Sequence, residues 1–524
     1  MKSLKTILST VIVMTMLPVL TAQSDKVTKM IIENGKNDNQ TMKHLDVLTN
    51  RFGGRLIGSD AYDNASLWCA AQFRKWGMEV KMDTVGTLPV GFNRGPWFGR
   101  LLSDNGMTLH FATPSYTSGT KGVQRGPVLI EPKSQAEFDR MKGALKGAWV
   151  LISGTNTGWP VDWSSKGDSV RAKVISYNDS IAKINRDIMM ENRSHPGQEQ
   201  KKEIPYKEEP ALFYRQMKEA GILGIIQSAP VPIRVLYDRK NIEKMTFETL
   251  PTVPDIKLDE SQYKVIEQMA KERRYFQLEF DIRNYFKPGP VAYCNVIGII
   301  RGSKYPDEYV MMGGHLDAFD VATGGVDDGS GATPVMEAAR LIMAAGGKPK
   351  RTILACLWAG EEFGLWGSKS WVEKNKKNLG KISNYFNRDG GPTVANSLTV
   401  PEAMYDDFAK VCEPLNSINP DFPFTLNKRT DPPRPKPTTA GGSDHAYFAM
   451  NGVPTLSFGT ADPKGYNFDY MEIWHTERDT YNKSIEEYQN HSSVVTAVVV
   501  WGLSNLDHLL PRQGLYSEDK PDKK

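Results

Sequence analysis

Histidine and acidic residues follow two apolar runs in the middle of the chain. His315 and Asp317 come after the first run, Asp327 lies in a glycine-rich segment shortly beyond, and Glu361 and Glu362 follow the second run. Short apolar runs are typical of buried strands, and strands that end at one edge of a sheet bring the residues after them together. Imidazole and carboxylate groups are the ligands of zinc-type hydrolytic sites. The sequence therefore predicts a metal-dependent hydrolase.

The spacing of His315 and Asp317 suggests a separate role for each residue. His315 and Asp317 are two residues apart, so on an extended backbone their side chains share a face. A carboxylate that accepts the second ring proton of a ligating histidine fixes its tautomer, and we expect this role for Asp317. In isolation such a pair is also common as a purely structural feature. Asp327 precedes a predicted helix, where its carboxylate could bridge two cations.

Glu361 and Glu362 are adjacent acids at the end of an apolar run. Successive side chains diverge, so one can bind a metal while the other reaches a water molecule as general base. The alternative is a pair of solvated glutamates at a helix start. The residues alone do not say which glutamate has which role.

Asp389 and His475 complete the candidate ligand set. Asp389 follows another strand-like run, and His475 supplies a second imidazole with Asp479 as its expected orienting partner; the whole chain contains only 8 histidines. Two cations about 3.5–4 Å apart could share Asp327, each completed by one histidine and one further carboxylate. Zinc suits these ligands best, and manganese or cobalt would also be accommodated.

The sequence around these residues predicts alternating strands and helices, which must position them. A helix is expected over 332–345, with Ser330 as N-cap, Pro334 in its first turn and Gly346 as its stop. Strands are expected at 295–300, 309–312, 352–358, 385–387 and 454–458. Alternation of this kind predicts an α/β fold with a mostly parallel sheet covered by helices on both faces.

Composition and charge exclude several classes of protein. A net charge of +4 over 524 residues, with acidic and basic residues interspersed, gives no basic patch for nucleic acid. Residues 1–22 form a basic head, an apolar run and a small-residue end, which predicts a cleavable signal peptide and a secreted or periplasmic protein. That run is short for a membrane anchor. The cysteines have no Cys-x-x-Cys spacing, so we expect neither a zinc ribbon nor a dithiol redox site.

Taken together, these motifs resemble the secreted co-catalytic metallopeptidases of peptidase family 28 of the metallo type, which include zinc aminopeptidases and carboxypeptidase Q. The resemblance covers nearly the whole mature chain. It is to the form whose catalytic domain carries a protease-associated insert. It implies a zinc exopeptidase-like fold divided into a signal peptide at 1–22, catalytic parts at 23–112 and 276–512, a β-rich protease-associated-like insert at 113–275 and a disordered tail at 513–524. Within the insert, the charged segment 164–208 is expected to form surface helix or loop.

The resemblance also implies roles for individual residues. Glu361 would be the general base and Asp317 the support for His315. The metal ligands would be His315, Asp327 as the bridge, Glu362, Asp389 and His475. The expected activity is that of a metallo-exopeptidase acting on short peptides or dipeptides with a free N-terminus.

One position departs from the family pattern. Several relatives place tyrosine immediately before the final histidine, where its hydroxyl stabilises the oxyanion, whereas this chain has Trp474. Asp444 could hold the substrate amine or cap its loop. Two other functions stay open, a glutaminyl-peptide cyclotransferase with one zinc ion and a peptide-binding relative without catalysis. Peptides are the expected partners, and homodimer formation and the role of the insert stay open.

Overall fold

The computed structural model describes residues 25–103, 106–161, 168–194, 200–204, 213–238 and 242–517. The predicted signal peptide at 1–22 and residues 518–524 of the predicted tail lie outside these ranges. Residues 513–517 are described, and Leu515 is buried there. Arg429 donates hydrogen bonds to the carbonyl oxygens of Gly514 and Leu515 at 3.2 and 3.1 Å. This part of the chain is therefore attached to the loop that contains Arg429.

The described chain contains helices and strands in close alternation. The helices are α1 (residues 25–37), α2 (Thr41–Asp46), α3 (Asp60–Lys75), α4 (Gln135–Leu145), α5 (Asp168–Ser194), α6 (Tyr214–Glu219), α7 (Glu260–Lys271), α8 (Gly329–Ala344), α9 (Trp366–Lys374), α10 (Tyr405–Cys412), α11 (Ala446–Met450), α12 (Tyr470–Ile473) and α13 (Glu486–Ser504). The strands are β1 (Glu79–Leu101), β2 (Phe111–Ala112), β3 (Gln124–Ile130), β4 (Trp149–Thr155), β5 (Gly224–Ala229), β6 (Asp255–Asp259), β7 (Gln277–Ile300), β8 (Tyr305–His315), β9 (Arg351–Trp358), β10 (Ile382–Asn387), β11 (Val394–Val400), β12 (Thr425–Lys428) and β13 (Gly459–Ala461).

Ten of these strands form one continuous sheet in the order β10-β8-β9-β7-β3-β4-β5-β6-β2, with β1 paired to β7. In the catalytic part β10, β8 and β9 are parallel. In the insert β3, β4, β5 and β6 are parallel. The 24-residue strand β7 is antiparallel to its neighbours and extends from one part into the other. The prediction of an α/β fold with a largely parallel sheet is confirmed.

Helices cover both faces of the catalytic sheet, as strand β9 illustrates. All of its residues are buried. Ile353 and Leu357 belong to the core that also contains residues of α3, α8 and α13, whereas Leu354 and Trp358 belong to the core with residues of α9 and α11. Because successive side chains enter opposite cores, the strand needs apolar residues at every position.

Helix α8 begins at Gly329, three residues before the predicted start, and Asp328 rather than Ser330 occupies the N-cap position. Ser330 lies inside the helix, where its hydroxyl donates to the carbonyl oxygen of Val326 at 2.8 Å. Pro334 therefore lies in the second turn and cannot donate to the carbonyl of Ser330. That carbonyl accepts instead from Nε of Arg388 at 2.9 Å. A missing helix hydrogen bond is thus used to hold the loop that contains Asp389.

The predicted strand at 454–458 does not form within this part of the sheet; strand β13 starts at Gly459. The segment nevertheless runs beside β10, because Tyr385 N–H donates to the carbonyl of Pro454 at 2.9 Å. The side-chain amide of Asn384 then pairs with both the N–H and the carbonyl of Leu456, at 3.0 and 3.1 Å. The side-chain amide of Asn384 thus takes the place of the backbone hydrogen bonds that a further strand would form with β10.

The insert, predicted to be rich in β-structure, has parallel strands that alternate with helices. Helix α5 lies within the segment 164–208, which was predicted to form surface helix or loop. Its identity as a protease-associated domain stays a prediction. The cysteines Cys69, Cys294, Cys356 and Cys412 are all free thiols. Among the residues that the structure describes, no helix is long and apolar enough to cross a membrane.

Candidate metal centre

His315 ends strand β8 and lies at the centre of the candidate site with no exposed surface. Its Nε2 atom is 3.2 Å from Oδ1 of Asp327 and 3.8 Å from Oδ2 of Asp389. Its Nδ1 atom is 2.7 Å from the backbone carbonyl oxygen of Asp317. A carbonyl oxygen only accepts, so Nδ1 carries the ring proton and Nε2 faces the two carboxylates.

Asp317 supports the site differently from the prediction. Its backbone carbonyl, rather than its carboxylate, contacts the ring of His315; Oδ1 is 3.7 Å away. The carboxylate accepts hydrogen bonds from the backbone N–H groups of Glu361 and Glu362 at 3.1 and 3.3 Å. Asp317 therefore fixes the turn that carries both glutamates, and burial raises its pKa.

Asp479 also has a different partner from the one expected. Its carboxylate accepts from Val326 N–H at 2.7 Å and from Asp327 N–H at 3.3 Å. It holds the backbone of Asp327 rather than orienting the ring of His475. Burial raises the pKa of Asp479 to about 7.

A second group forms on the other side of Asp327. His475 Nε2 is 2.9 Å from Oε2 of Glu362 and 3.5 Å from Oδ2 of Asp327. These residues form two sets of candidate ligands. In each set the donor atoms lie within 4.8 Å of one another, and Asp327 belongs to both sets. The sets are His315, Asp327 and Asp389, and Asp327, Glu362 and His475. The structure brings all the predicted ligands together, and Asp327, the predicted bridge, is the residue that the two sets share.

The chemistry of these groups suits divalent cations. Oδ2 of Asp327 and Oε1 of Glu362 are buried without a hydrogen-bond donor among the residues that the structure describes. Burial, together with the charge of Asp327, raises the pKa of Glu362 well above its usual value. Burial also raises the pKa of Asp327, but contact with His315 outweighs it and leaves that pKa below its usual value. Cations would both coordinate the buried oxygens and compensate the concentrated negative charge.

Glu361 lies beside the two ligand sets without belonging to either. Its backbone N–H is held by Asp317. Burial raises the pKa of its carboxyl group well above the usual value, and the charges of Asp389 and Asp444 add to that rise. A carboxyl group in such surroundings suits proton transfer better than coordination.

Asp389 is positioned by the loop that follows strand β10. Arg388 anchors this loop by donating to the carbonyl oxygens of Ser330 and Thr393 at 2.9 and 3.1 Å. Helix α8 passes so close that a Cβ atom on Gly331 would lie 2.1 Å from the carbonyl oxygen of Arg388. Glycine is therefore required there, and the close approach brings Asp389 towards His315.

Asp328 was missed by the sequence analysis. It is fully buried, and its Oδ2 atom accepts the backbone N–H of His315 at 2.9 Å. Burial raises its pKa well above the usual value. Its place next to Asp327 in a glycine-rich turn was a usable signal for a supporting role.

Tyr470 was also missed. Its hydroxyl interacts with the carboxyl group of Asp327 and lowers the pKa of that group. The ring lies against Gly391, where the absent side chain leaves room; a Cβ atom there would be 3.4 Å from the ring. Burial, followed by the charges of Asp327, Asp389 and Glu362, raises the pKa of Tyr470, so its hydroxyl stays protonated. Tyr470 precedes Trp474 by one helical turn, with Trp474 N–H donating to its carbonyl oxygen at 2.9 Å.

The two remaining predicted residues, Asp444 and Trp474, have different surroundings. Asp444 is fully buried, and burial raises its pKa to about 7, although the charge of His315 opposes that rise. The ring of Trp474 lies 4.5 Å from that of His475. The guanidinium of Arg234 stacks on this indole at 4.1 Å. Arg234 belongs to the insert, and nothing in the sequence indicated that it reaches this centre.

The insert also shapes the backbone at the last histidine. His475 has a left-handed φ of 58°, which is uncommon for a residue with a side chain. Val235 N–H donates to the carbonyl oxygen of His475 at 3.1 Å. Glu477 and Ile233 exchange two further hydrogen bonds at 3.0 Å each. These bonds hold the strained residue in place.

Residues 295–499, which include all the candidate ligands, match the sequence profile of peptidase family M28. The chain is similar to carboxypeptidase Q from Mus musculus, with 24% identity over 500 residues that cover 94% of this chain and 92% of that protein. Carboxypeptidase Q from Homo sapiens is 27% identical over 486 residues, covering 91% and 88% of the two chains. A crystal structure of a peptidase M28 precursor from Shewanella amazonensis superimposes with a TM-score of 0.56 at 21% identity, over 93% of this chain and 98% of that one. This last likeness establishes a shared fold.

Proposed function

Since this chain belongs to peptidase family M28 through residues 295–499, we propose that it is a metal-dependent exopeptidase. In this proposal it hydrolyses short peptides with a free N-terminus. The observation that carries the proposal is the pair of ligand sets that share Asp327. Paired divalent cations held by neighbouring ligand sets are a recurrent arrangement in aminopeptidases and other hydrolases.

Two cations, with zinc favoured, would be held by His315, Asp327 and Asp389 on one side and by Asp327, Glu362 and His475 on the other. When bound, they would acidify a water molecule and polarise the scissile carbonyl. The supports of these ligands are the backbone carbonyl of Asp317 for His315 and the carboxylate of Asp479 for the Asp327 backbone.

Glu361 is the group that we assign to proton transfer. Its carboxylate accepts a proton from the attacking water and returns it to the leaving amine. Because Asp317 holds the backbone of Glu361 and of the predicted ligand Glu362, the base and the ligand keep a fixed separation during turnover.

Tyr470 is the group that we assign to the developing oxyanion. Its protonated hydroxyl lies among the carboxylates of the centre, and a neutral donor aimed at a developing negative charge stabilises the transition state. The family pattern has a tyrosine for this role at the position of Trp474. In this chain we assign the role to Tyr470 instead.

Asp444 would face the α-amine of the substrate. A buried carboxylate is the natural partner of an ammonium group, and the charge of Asp444 is felt by Glu361. Export through a signal peptide at 1–22 and a protease-associated role of the insert belong to the same proposal.

The test uses Ala-Leu and N-acetyl-Ala-Leu with the mature chain, with and without a chelator, and follows cleavage by mass spectrometry. We expect cleavage of the free dipeptide only, its loss with chelator and its recovery on addition of zinc. Cleavage that survives complete metal removal would contradict the proposal.

The same experiment separates the rival functions. A glutaminyl cyclotransferase would leave both dipeptides intact and convert an N-terminal glutamine peptide into its ring form, a loss of 17 Da that follows from expulsion of ammonia. A binding protein without catalysis would leave every peptide unchanged while still retaining metal or peptide.

A further inference from the structure

A chain of hydrogen bonds leads from the apolar core of the catalytic part to the loop beside the predicted ligand Asp389. Trp358 and Tyr385 are fully buried in that core. Nε1–H of Trp358 donates to the hydroxyl oxygen of Tyr385 at 2.6 Å, and the Tyr385 hydroxyl donates to Oδ1 of Asn387 at 2.5 Å. Nδ2 of Asn387 donates in turn to the hydroxyl oxygen of Ser443 at 2.9 Å. Four side chains from separate parts of the sequence are therefore joined in one series.

The direction of this chain follows from its first member. An indole nitrogen only donates, so the oxygen of Tyr385 accepts from Trp358 and its proton is given to Asn387. The separation of 2.5 Å between Tyr385 and Asn387 fits an O–H···O bond and is too short for an amide N–H donor. Asn387 therefore turns its oxygen towards Tyr385 and its amino group towards Ser443. The oxygen of Ser443 accepts, which leaves the proton of that hydroxyl for a further acceptor.

The acceptor that lies next to Ser443 is the carboxyl group of Asp389. Burial raises the pKa of Asp389, and the charge of His315 and then the Ser443 hydroxyl oppose that rise, so the hydroxyl lies beside this carboxyl group. Asp389 shares a ligand set with His315 and Asp327. A hydrogen bond to one carboxylate oxygen orients a ligand and leaves its other oxygen for the cation. The chain thus leads to a group whose orientation matters for metal binding.

Packing of the core does not explain this chain. The ring of Tyr385 lies 4.5 Å from that of Phe448 in a largely apolar core, where phenylalanine would fill the same space without burying a hydroxyl group. Strand β8 also leaves room for the polar pair, since a Cβ atom on Gly313 would lie 2.9 Å from the hydroxyl oxygen of Tyr385 and 3.0 Å from Nε1 of Trp358. The pair is therefore accommodated beside the strand that ends at His315.

We propose that Tyr385 and Trp358 are positioning residues of the metal centre, which direct the Ser443 hydroxyl onto Asp389 and so hold this carboxylate for its cation. The proposal deepens the proposed function and rests on its assignment of Asp389 as a ligand. Both aromatic residues act through Asn387 and Ser443 rather than on the cation directly. The apolar core thereby contributes to the affinity of one cation site and not of the other.

The experiment measures zinc binding at each cation site separately, by competition with a chromophoric chelator. The site with Asp389 is isolated in Glu362→Ala, and the other site is isolated in Asp389→Ala. Addition of Tyr385→Phe should weaken zinc binding about 10-fold in Glu362→Ala, because the ligand loses its orienting contact, and less than about 2-fold in Asp389→Ala. Tyr447→Phe is the matched control, since Tyr447 packs against the same core; it should change neither affinity.

A double-mutant cycle tests whether Tyr385 acts through the hydrogen-bond chain. In Glu362→Ala, Ser443→Ala should weaken zinc binding by as much as Tyr385→Phe, and the two substitutions together should weaken it no further. A purely structural defect at Tyr385 would instead add to the loss caused at Ser443. Additive losses would therefore overturn the proposal.

Two other results would also overturn it. Equal losses in Glu362→Ala and Asp389→Ala would mean that Tyr385 supports the whole centre, and unchanged zinc affinity in both would mean that the chain does not orient Asp389. Asn387→Ala interrupts the chain at a half-buried residue and should give the same selective loss. This second variant keeps the proposal testable if Tyr385→Phe does not fold.

Zinc binding needs no substrate, so the result is separable from the proposed function. A wild-type chain that binds two zinc ions, together with a selective loss caused by Tyr385→Phe, supports the proposal even if no peptide is cleaved. Zinc-dependent cleavage of Ala-Leu without the selective loss would contradict this proposal alone. A wild-type chain that binds no zinc would contradict both.

Discussion

The insert and the metal centre each bury charged side chains, but they balance the charge in opposite ways. In the insert, Lys257 has no exposed side-chain surface and its Nζ atom is 2.7 Å from both Oδ1 of Asp255 and Oε1 of Gln227. The second carboxylate oxygen of Asp255 accepts from Val161 N–H at 2.8 Å. At the metal centre the carboxylates of Asp327 and Glu362 pair with the imidazoles of His315 and His475 instead and lie among other acids.

This difference indicates which cluster is complete within the chain. A buried carboxylate is tolerated when a cation and hydrogen bonds compensate it. The insert supplies its own cation in Lys257, which compensates the charge of Asp255. The metal centre concentrates acids around His315 and His475, and in the proposed function cations from solution compensate them.

Glu361→Gln tests the chemical side of the comparison. Removal of the general base should lower kcat about 10³-fold, which corresponds to about 4 kcal/mol of activation free energy. Metal content should stay at the wild-type value, because Glu361 belongs to neither ligand set. The measurement is steady-state hydrolysis of Ala-Leu with metal analysis of the same sample. A fully active variant would remove Glu361 from the mechanism.

Lys257→Met tests whether Lys257 compensates the buried charge of Asp255 in the insert. The change leaves Asp255 buried without its cation, which should lower the free energy of unfolding by about 3 kcal/mol. Urea denaturation measures this loss. Lys264→Met, which removes an exposed lysine paired with Glu260 on α7, is the control and should change stability by less than about 0.5 kcal/mol. Equal effects of the two substitutions would show that Lys257 does not compensate a buried charge.

Tyr470→Phe tests the proposed oxyanion donor. Loss of one preorganised donor should lower kcat about 10²-fold with little change in KM, or about 2.7 kcal/mol. Tyr466→Phe is the matched control, since Tyr466 is exposed in the same segment and donates to Glu487. If binding of a phosphinic dipeptide analogue weakens in Tyr470→Phe as much as kcat falls, the hydroxyl acts in the transition state. A change in KM alone would argue for a role in substrate binding.

His491 represents a third way of burying a titratable group, which is to keep it neutral. Its ring nitrogens are buried without hydrogen-bond partners in the described part of the chain. Burial lowers its pKa from 6.5 to about 4. The unfolded chain therefore binds the proton more readily, so stability is present above pH 6.5 and is lost as the pH falls towards 4. Between pH 8 and pH 5 this group should cost about 2 kcal/mol.

The check is urea denaturation of the wild type and of His491→Leu at both pH values. The variant should lose about 2 kcal/mol less than the wild type on acidification, because its side chain does not titrate. An identical pH dependence in the two proteins would show that His491 titrates normally in the folded state.

The sequence predicted which candidate ligands come together, because local pattern places them at one edge of the sheet. Each one follows an apolar run or lies in a turn, and strands such as β8 and β10 deliver those residues to one edge of the sheet. The supporting contacts were harder to predict. Asp317 and Asp479 were assigned to histidine rings, yet the chain turns after His315 so that a carbonyl faces Nδ1, while Asp479 meets the backbone of Asp327.

The contribution of the insert could not be predicted from local pattern at all. Arg234 and His475 are separated by 241 residues, and their contact depends on how the insert docks on the catalytic part. The start of α8 was missed for a related reason. The Ser330 carbonyl that Pro334 leaves without a helix partner is bonded by Arg388, which comes from a different element of the fold.

We propose that Asp327 joins two cation sites whose negative charge the chain does not neutralise by itself. The most direct test is equilibrium dialysis against zinc followed by elemental analysis of the wild type, Asp389→Ala, Glu362→Ala and Asp327→Ala, with circular dichroism to confirm folding. We expect two ions per wild-type chain, one after substitution of Asp389 or Glu362, and weakened binding of both ions after substitution of Asp327. A single ion in the wild type, or two tightly bound ions in Asp327→Ala, would contradict it.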